Sequence, residues 1–321
     1  MEFLFNKKLK KIGIAKIGGL GDTIQLLFLS HAIRRKYPEA EITIYARDKN
    51  EYLKRDTKVD RIIFTGYCDW NKLIRKEVRK YDLFFDDRYY VGIWKPNNKY
   101  GRHMELHTKD INKYWNFFDY LEKLNCNLLE MSAKNSGVKL IEEDFNLDFL
   151  IENNKLELIS KPYILLYNDD SLLRKTKSYP QYHWNKVISY LKVNYSDLNL
   201  IQIGNKKHSK IEKTVDLRNK TNFEELCSLV RGALLIVTTE GLIPHLAKGF
   251  NTKSIVLFGP TIKKCFGYKE NINIQGDIKC SGCWYSTDDW YKNCPKKYSE
   301  CKSMSSILPA QIIDSISNII L

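Results

Sequence analysis

The chain has 321 residues, of which 43% are hydrophobic and 28% charged; this fits a folded protein of about two domains and excludes a disordered one. Lys and Arg number 52 against 38 Asp and Glu, and the net charge of +14 favours anionic partners: nucleic acid, an acidic membrane face or a phosphorylated substrate. No apolar run approaches the roughly 20 residues that span a bilayer. The start, MEFLFNKKLKKIGIAKIGG, lacks an apolar signal core and cleavage site, so the expected compartment is the cytoplasm, with its eight cysteines reduced.

In chain order, Ile12–Ile17 is a short apolar run that ends in Gly18-Gly19-Leu20-Gly21-Asp22. A helix follows, with Leu26, Leu29, Ile33 and Tyr37 on one face and Arg34, Arg35 and Lys36 near its end, stopped by Pro38. Glu41–Ala46 and Arg61–Phe64 read as strands, Trp70–Lys80 as a helix and Leu83–Asp86 as a strand. The basic stretch Arg88–Lys109 reads as a long loop and Asn112–Asn125 as a helix. Periodicity weakens between Cys126 and Lys161, which puts a boundary near 155: an N-terminal domain over 1–155 and a C-terminal one over 156–321. Alternation then resumes: strand Tyr163–Tyr167, helix His183–Lys192, strand Leu198–Gly204, helix Asn222–Arg231, strand Leu234–Thr238, short helix Pro244–Gly249, strand Ser254–Phe258. A cysteine-rich loop and a terminal helix from about Pro309 complete the chain. Such alternation predicts an α/β protein with parallel sheets, here as two domains with a cleft between them.

The glycine turn is neither GxGxxG nor GxxxxGK[ST], so it carries no dinucleotide or P-loop signature. It offers a tight turn and a carboxylate, Asp22, at a helix start. Asp22 is either an N-cap or a carboxylate at the end of a strand, placed to take a proton from an attacking hydroxyl.

Three segments carry a resemblance. Ile12–Pro38, Lys177-Ser178-Tyr179-Pro180-Gln181-Tyr182-His183-Trp184 and Thr238–Thr261 (TTEGLIPHLAKGFNTKSIVLFGPT) follow one another over most of the chain. Together they resemble glycosyltransferase family 9, the ADP-heptose:lipopolysaccharide heptosyltransferases. The resemblance implies a GT-B fold of two Rossmann-like domains, the first binding acceptor and the second a nucleotide-diphospho-sugar. It also implies inverting transfer without a catalytic cofactor or metal. Asp22 falls on the family's catalytic aspartate and Lys177 on the lysine that contacts the donor diphosphate. Glu240, Gly241, Leu242 and His245 fall on the segment lining the donor sugar and phosphates, with Thr261 added from the following turn. Gly21, Asp86, Arg102 and His107 are expected on the acceptor side. Glu240, Gly241 and Leu242 replace the family's Asp, Ser and Gly. Asn205-Lys206-Lys207-His208 stands where a ribose-binding glutamate is expected. The donor is therefore ADP-heptose-like or a GDP-sugar, and the acceptor a glycolipid or glycan such as lipopolysaccharide core or capsule. A protein acceptor, or a non-catalytic glycan-binding module of the same fold, are the alternatives.

Cys280, Cys283, Cys294 and Cys301 have the spacing C-x2-C-x10-C-x6-C. In a reducing compartment that pattern suits a structural Zn or Fe ion better than disulfides. The loop is similar to the four-cysteine iron site of family members that glycosylate autotransporter proteins; there the metal would staple a loop and could serve a contact in a homo-oligomer. Lys95, Lys99, Arg102, His103 and Lys109, with Arg34–Lys36 and Lys7, Lys8, Lys10 and Lys11, form basic patches. They are either solvated surface or an attraction to the anionic cytoplasmic face of the inner membrane. No nucleic-acid-binding pattern accompanies them.

Overall fold

The computed structural model describes residues 9–87, 92–97, 101–106, 127–152, 159, 162–170, 174–284, 286–287 and 289–320. The predicted helix over 112–125 lies outside them. The chain divides into two compact units, one made of Met1–Phe117 and Leu128–Leu150, the other of Phe118–Asn127 and Ile151–Leu321.

The first unit holds a six-stranded sheet in the order β3-β2-β1-β4-β5-β6. Strands β1 (Lys11–Ala15), β2 (Glu41–Ala46), β3 (Arg61–Phe64) and β4 (Leu83–Asp86) are parallel. Ile12 to Ala15 are buried without alternation, as expected of a central parallel strand covered on both faces. Helix α1 (Leu20–Lys36) is buried continuously from Thr23 to Ile33, so the single apolar face predicted for it understates its burial. The reason is tertiary. The segment 141–150 lies over the helix, with Phe145 edge-on to Phe28 at 5.0 Å, and the Asp144 carbonyl accepts from His31 Nδ1 at 2.8 Å. The other His31 nitrogen, Nε2, meets Asp56 Oδ2 at 2.6 Å. Helix α2 (Trp70–Glu77) is capped by Asp69, which accepts the Lys72 N–H.

The stretch predicted as a loop over 88–109 contains two strands, β5 (Gly92–Asn97) and β6 (Gly101–Leu106). They run antiparallel and extend the sheet beyond β4, pairing Phe85 with Ile93 and Trp94 with Met104. Their signal was hidden because charged residues and Pro96 interrupt the run, and ladder hydrogen bonds depend on the backbone rather than on those side chains. Helix α3 (Leu128–Asn135) lies in the stretch where periodicity weakens.

The second unit is a six-stranded parallel sheet in the order β12-β11-β10-β7-β8-β9. Its strands are β7 (Tyr163–Tyr167), β8 (Asn199–Gln202), β9 (Val215–Asp216), β10 (Leu235–Thr239), β11 (Ser254–Phe258) and β12 (Ile272–Gln275). Helix α4 (Gln181–Asn194) and helix α9 (Pro309–Ile320) bury Trp184, Leu191, Ile312 and Ile316 in one core with Ile164, Val237 and Ile255. Helix α5 (Phe223–Gly232) opens with a capping box: Asn222 accepts from the Glu225 N–H at 2.9 Å and Glu225 from the Asn222 N–H at 2.8 Å. Helices α6 (Leu242–Gly249), α7 (Lys263–Phe266) and α8 (Lys302–Ser305) complete the unit. Within the Lys177–Trp184 segment Tyr179, His183 and Trp184 are buried anchors. The Tyr179 hydroxyl and His183 Nδ1 both donate to the Ile307 carbonyl, at 3.0 and 2.9 Å.

Candidate functional site

In the second sheet the chain leaves β7 toward β8 on one side, and β10 lies on the other. The β7/β10 junction is therefore the topological switch point, where open parallel sheets receive ligands at the carboxyl ends of their strands. Three predicted residues meet there. Lys177, in the short turn after β7, contacts Glu240 at the end of β10, the ammonium on Glu240 Oε2. Thr261, after β11, donates its hydroxyl to the same oxygen at 3.1 Å. The Lys177 and Glu240 side chains are only 11% and 10% exposed, so each charge depends on the other for compensation. Burial pushes the Glu240 carboxyl up, but Lys177, His245 and the Thr261 hydroxyl outweigh it and hold the group below its usual range.

Helix α6 begins at Leu242, two residues earlier than predicted, with Gly241 as its N-cap. Pro244 sits in the first turn, where its missing N–H costs no helical bond. A side chain at Gly241 would meet no atom within 4 Å, and the first-turn amides of the helix have no acceptor within it. His245 is buried on this helix, and its Nδ1 lies 2.7 Å from the Tyr268 hydroxyl.

Two further residues stand beyond the carboxyl ends of strands in the same sheet: Asp169, and His208 from the segment expected near the ribose. Asp169, just beyond β7, is buried and takes Arg174 Nη1 at 3.3 Å, with His208 Nε2 at 3.8 Å. His208 Nδ1 accepts the Asn205 N–H, so the ring proton is on Nε2, toward Asp169. The signal for Asp169 was position alone: it follows the carboxyl end of a strand.

In the first unit Asp22 is not the N-cap. Helix α1 starts at Leu20 with Gly19 as cap, and Asp22 in the first turn reaches back to accept the Gly19 N–H at 2.9 Å. Gly18 has φ +152°, and a Cβ there would fall 2.0 Å from Asp22 Oδ2, so the turn requires glycine to leave the carboxylate in place. Gly21 is part-buried in the same turn. The ends of β1 and β4 are joined by a buried ion pair, Lys16 Nζ to Asp87 Oδ2 at 2.7 Å, with Ser132 donating to Asp87 Oδ1 at 2.5 Å. Asp86 itself is buried at the end of β4, paired with Ala15 in the ladder. Arg47, after β2, is hydrogen-bonded to Asp48 and within reach of the Asp22 charge, which together hold it further into its charged form. Arg102 lies in β6 opposite Pro96. His107 lies outside the described residues.

The profile of glycosyltransferase family 9 (heptosyltransferase) matches residues 125–290, just over half of the chain. The chain belongs to glycosyltransferase family 9. It is a glycosyltransferase with the GT-B α/β fold. The match spans Lys177, Glu240, His245 and Thr261. Over its full length the chain is similar to lipooligosaccharide heptosyltransferase 2 of Campylobacter jejuni, at 23% identity over 94% of this chain and 95% of that protein. Among solved structures, a family 9 glycosyltransferase of Veillonella parvula superposes with TM-score 0.61 at 13% identity, covering 97% of each chain. The dodecameric iron-containing heptosyltransferase TibC, solved in complex with ADP-D-beta-D-heptose, gives TM-score 0.64 at 13% identity over 98% of this chain and 78% of its own.

In this family 9 enzyme Cys280, Cys283, Cys294 and Cys301 are free thiols within a succession of turns. Burial pushes Cys283 up to about 12, and the neighbouring Cys301, Cys294 and Cys280 push in the same direction. Among the described residues, however, no three His, Cys, Asp or Glu side chains stand together as a ready set of metal ligands.

The basic cluster at the end of α1 is committed within the protein. Arg34 bonds Asp60 and the carbonyls of Pro38, Ala40 and Lys58; Arg35 pairs with Asp144 at 2.8 Å; Lys36 donates to the Gly137 carbonyl at 2.7 Å. Each of the three side chains thus has at least one donor engaged within the protein, while Arg35 remains 46% exposed. Among the described residues no helix is long and apolar enough to cross a membrane.

Proposed function

We propose that this glycosyltransferase moves heptose from a nucleotide-diphosphate heptose, ADP-heptose in the first instance, to a hydroxyl of a lipopolysaccharide core acceptor with inversion. The observation that carries the reading is the meeting of Lys177, Glu240 and Thr261 at the switch point, with Glu240 directly before the N-cap of α6. An inverting transfer must stabilise negative charge gathering on the departing diphosphate. A buried ammonium and free first-turn amides supply that without further groups. Glu240 and His245 suit hydrogen bonds to sugar hydroxyls and phosphate. Asp22 is the general base: its carboxylate stands just beyond the carboxyl end of β1, where Oδ2 accepts the Gly19 N–H. Gly21 and the strand ends that carry Asp86 and Arg102 form the acceptor side of the first unit.

Thermal denaturation with ADP-heptose, GDP-sugars and UDP-sugars tests the donor. ADP-heptose at a hundredfold excess over its Kd is expected to stabilise the protein by about 2.7 kcal/mol. It should then yield free ADP when a heptose-deficient lipopolysaccharide core is added. No shift with any nucleotide sugar would sink the reading.

The cysteine loop is proposed to hold one structural iron or zinc ion through Cys280, Cys283, Cys294 and Cys301. Support comes from the donor chemistry: four cysteines at the spacing C-x2-C-x10-C-x6-C, soft ligands of the kind that suit a soft cation. Bound there, the ion would lower the thiol pKa values and close the loop. Elemental analysis of the protein purified under reducing conditions should find about one metal ion per chain, lost in Cys283→Ser. Mapping of disulfides among these cysteines in freshly lysed cells would overturn the assignment.

A further inference from the structure

Trp290 lies in the cysteine loop, far along the chain from Lys177, yet the face of its ring stands 5.7 Å from the Lys177 ammonium. Trp290 is 6% exposed and is held edge-on by Trp284 at 6.4 Å and Tyr291 at 5.8 Å; Trp284 is in turn edge-on to Phe266 at 4.7 Å. The same loop is tied to the donor-site turns by hydrogen bonds. The Thr176 hydroxyl donates to the Tyr291 carbonyl at 3.0 Å, next door to Lys177. The Trp284 N–H donates to the Pro260 carbonyl at 2.8 Å and the Gly282 N–H to the Gly259 carbonyl at 3.0 Å, next door to Thr261. One loop therefore braces both turns that deliver donor-site side chains.

Bracing alone would need no aromatic face against the ammonium. A buried lysine is costly unless its charge is compensated. Glu240 compensates it, but a carboxylate and a diphosphate are alike in sign and compete for the same ammonium. A tryptophan face attracts the cation through its quadrupole while carrying no net charge, so it holds the lysine without opposing a phosphate. We infer that Trp290 is a positioning residue for Lys177: its π face keeps the ammonium where a nucleotide diphosphate meets it, and the cysteine loop is thereby a wall of the donor site.

This rests on the donor-site reading above, and the test separates the two. ADP affinity is measured by titration calorimetry on the full chain carrying 5-fluoro, difluoro or tetrafluoro tryptophan at position 290. Fluorination drains the π face and leaves the ring's shape, so folding is preserved. ADP affinity is expected to fall stepwise, by about tenfold across the series. Trp290→Phe should stay within about threefold of wild type and Trp290→Leu should lose about tenfold. In a Lys177→Met background the Trp290→Leu change should add nothing, because the partner cation is gone. A flat fluorination series with ADP bound normally by the wild type overturns the role of Trp290 alone. An equal Trp290→Leu penalty with and without Lys177 also overturns it. A wild type that binds neither ADP, GDP nor UDP overturns the donor site and this inference with it.

Discussion

Asp22→Asn is expected to lower sugar transfer by about 10²–10⁴-fold while leaving ADP affinity within experimental error of wild type. The substitution is nearly isosteric. Its amide oxygen can still accept the Gly19 N–H that Asp22 Oδ2 takes at 2.9 Å, so the start of α1 is retained. What disappears is the capacity to accept a proton. The donor-site residues belong to the other unit, so the loss should fall on turnover and not on nucleotide binding. Gly18→Ala supplies a second approach that keeps the carboxylate. A methyl placed 2.0 Å from Asp22 Oδ2, on a backbone at φ +152°, must displace the side chain or the turn. Transfer should again fall with ADP binding intact. Both enzymes are read by ADP release with acceptor present and by calorimetric ADP titration. If Asp22→Asn transfers sugar within about threefold of the wild-type rate, Asp22 is not the base.

Lys177→Met should be the more damaging change for the protein as a whole. It removes the leaving-group stabiliser and strands Glu240 as an uncompensated buried carboxylate, a loss of about 3–5 kcal/mol when one partner of a buried pair is taken away. The pH dependence carries a definite sign. In the wild type Glu240 lies below its ordinary pKa, so the pair adds stability above the unfolded carboxyl value and loses it as pH falls through the folded one. Without Lys177 the burial that already pushes Glu240 upward prevails. The folded state then binds the proton more tightly than the unfolded chain, and Lys177→Met should lose stability as pH rises through the raised value. Lys177→Met/Glu240→Gln should recover much of the folding stability, because no buried charge is left alone, but not the donor affinity. Denaturation midpoints between pH 4 and 8 check this. A single variant that tracks the wild type across that range would show that the ion pair is not the compensating contact.

Much of the architecture could be read along the chain because its signals are local. Runs such as Tyr163–Tyr167 and Ser254–Phe258 are short, apolar and bounded by turn residues, and they are strands with the bounds expected. The helix expected over Asn222–Arg231 runs Phe223–Gly232, within one residue at each end, with Asn222 as its cap. Reading failed where the deciding interaction lies elsewhere in the chain. The hairpin β5–β6 gains its ladder from the edge of β4, not from its own apolar pattern. Strand β9 is two residues long and exists through pairing with Ile201 and Gln202 of β8. Tyr179 and His183, part of the segment that suggested a donor site, serve the docking of α4 through the Ile307 carbonyl.

The site divides along the same line. The alternation of apolar runs along the chain determined the α/β class; the resemblance of three segments pointed to the family and to positions 22, 177, 240, 245 and 261, whose residue types set the chemistry available there. Only tertiary structure decided that Lys177 is neutralised by Glu240, that Asp22 reaches back to the amide of the cap residue Gly19 rather than capping its helix, and that Trp290 stands over the lysine. Periodicity and turn signals reflect interactions within a few residues. The partner of a buried charge is chosen by sheet order and by loops that return from a hundred residues away.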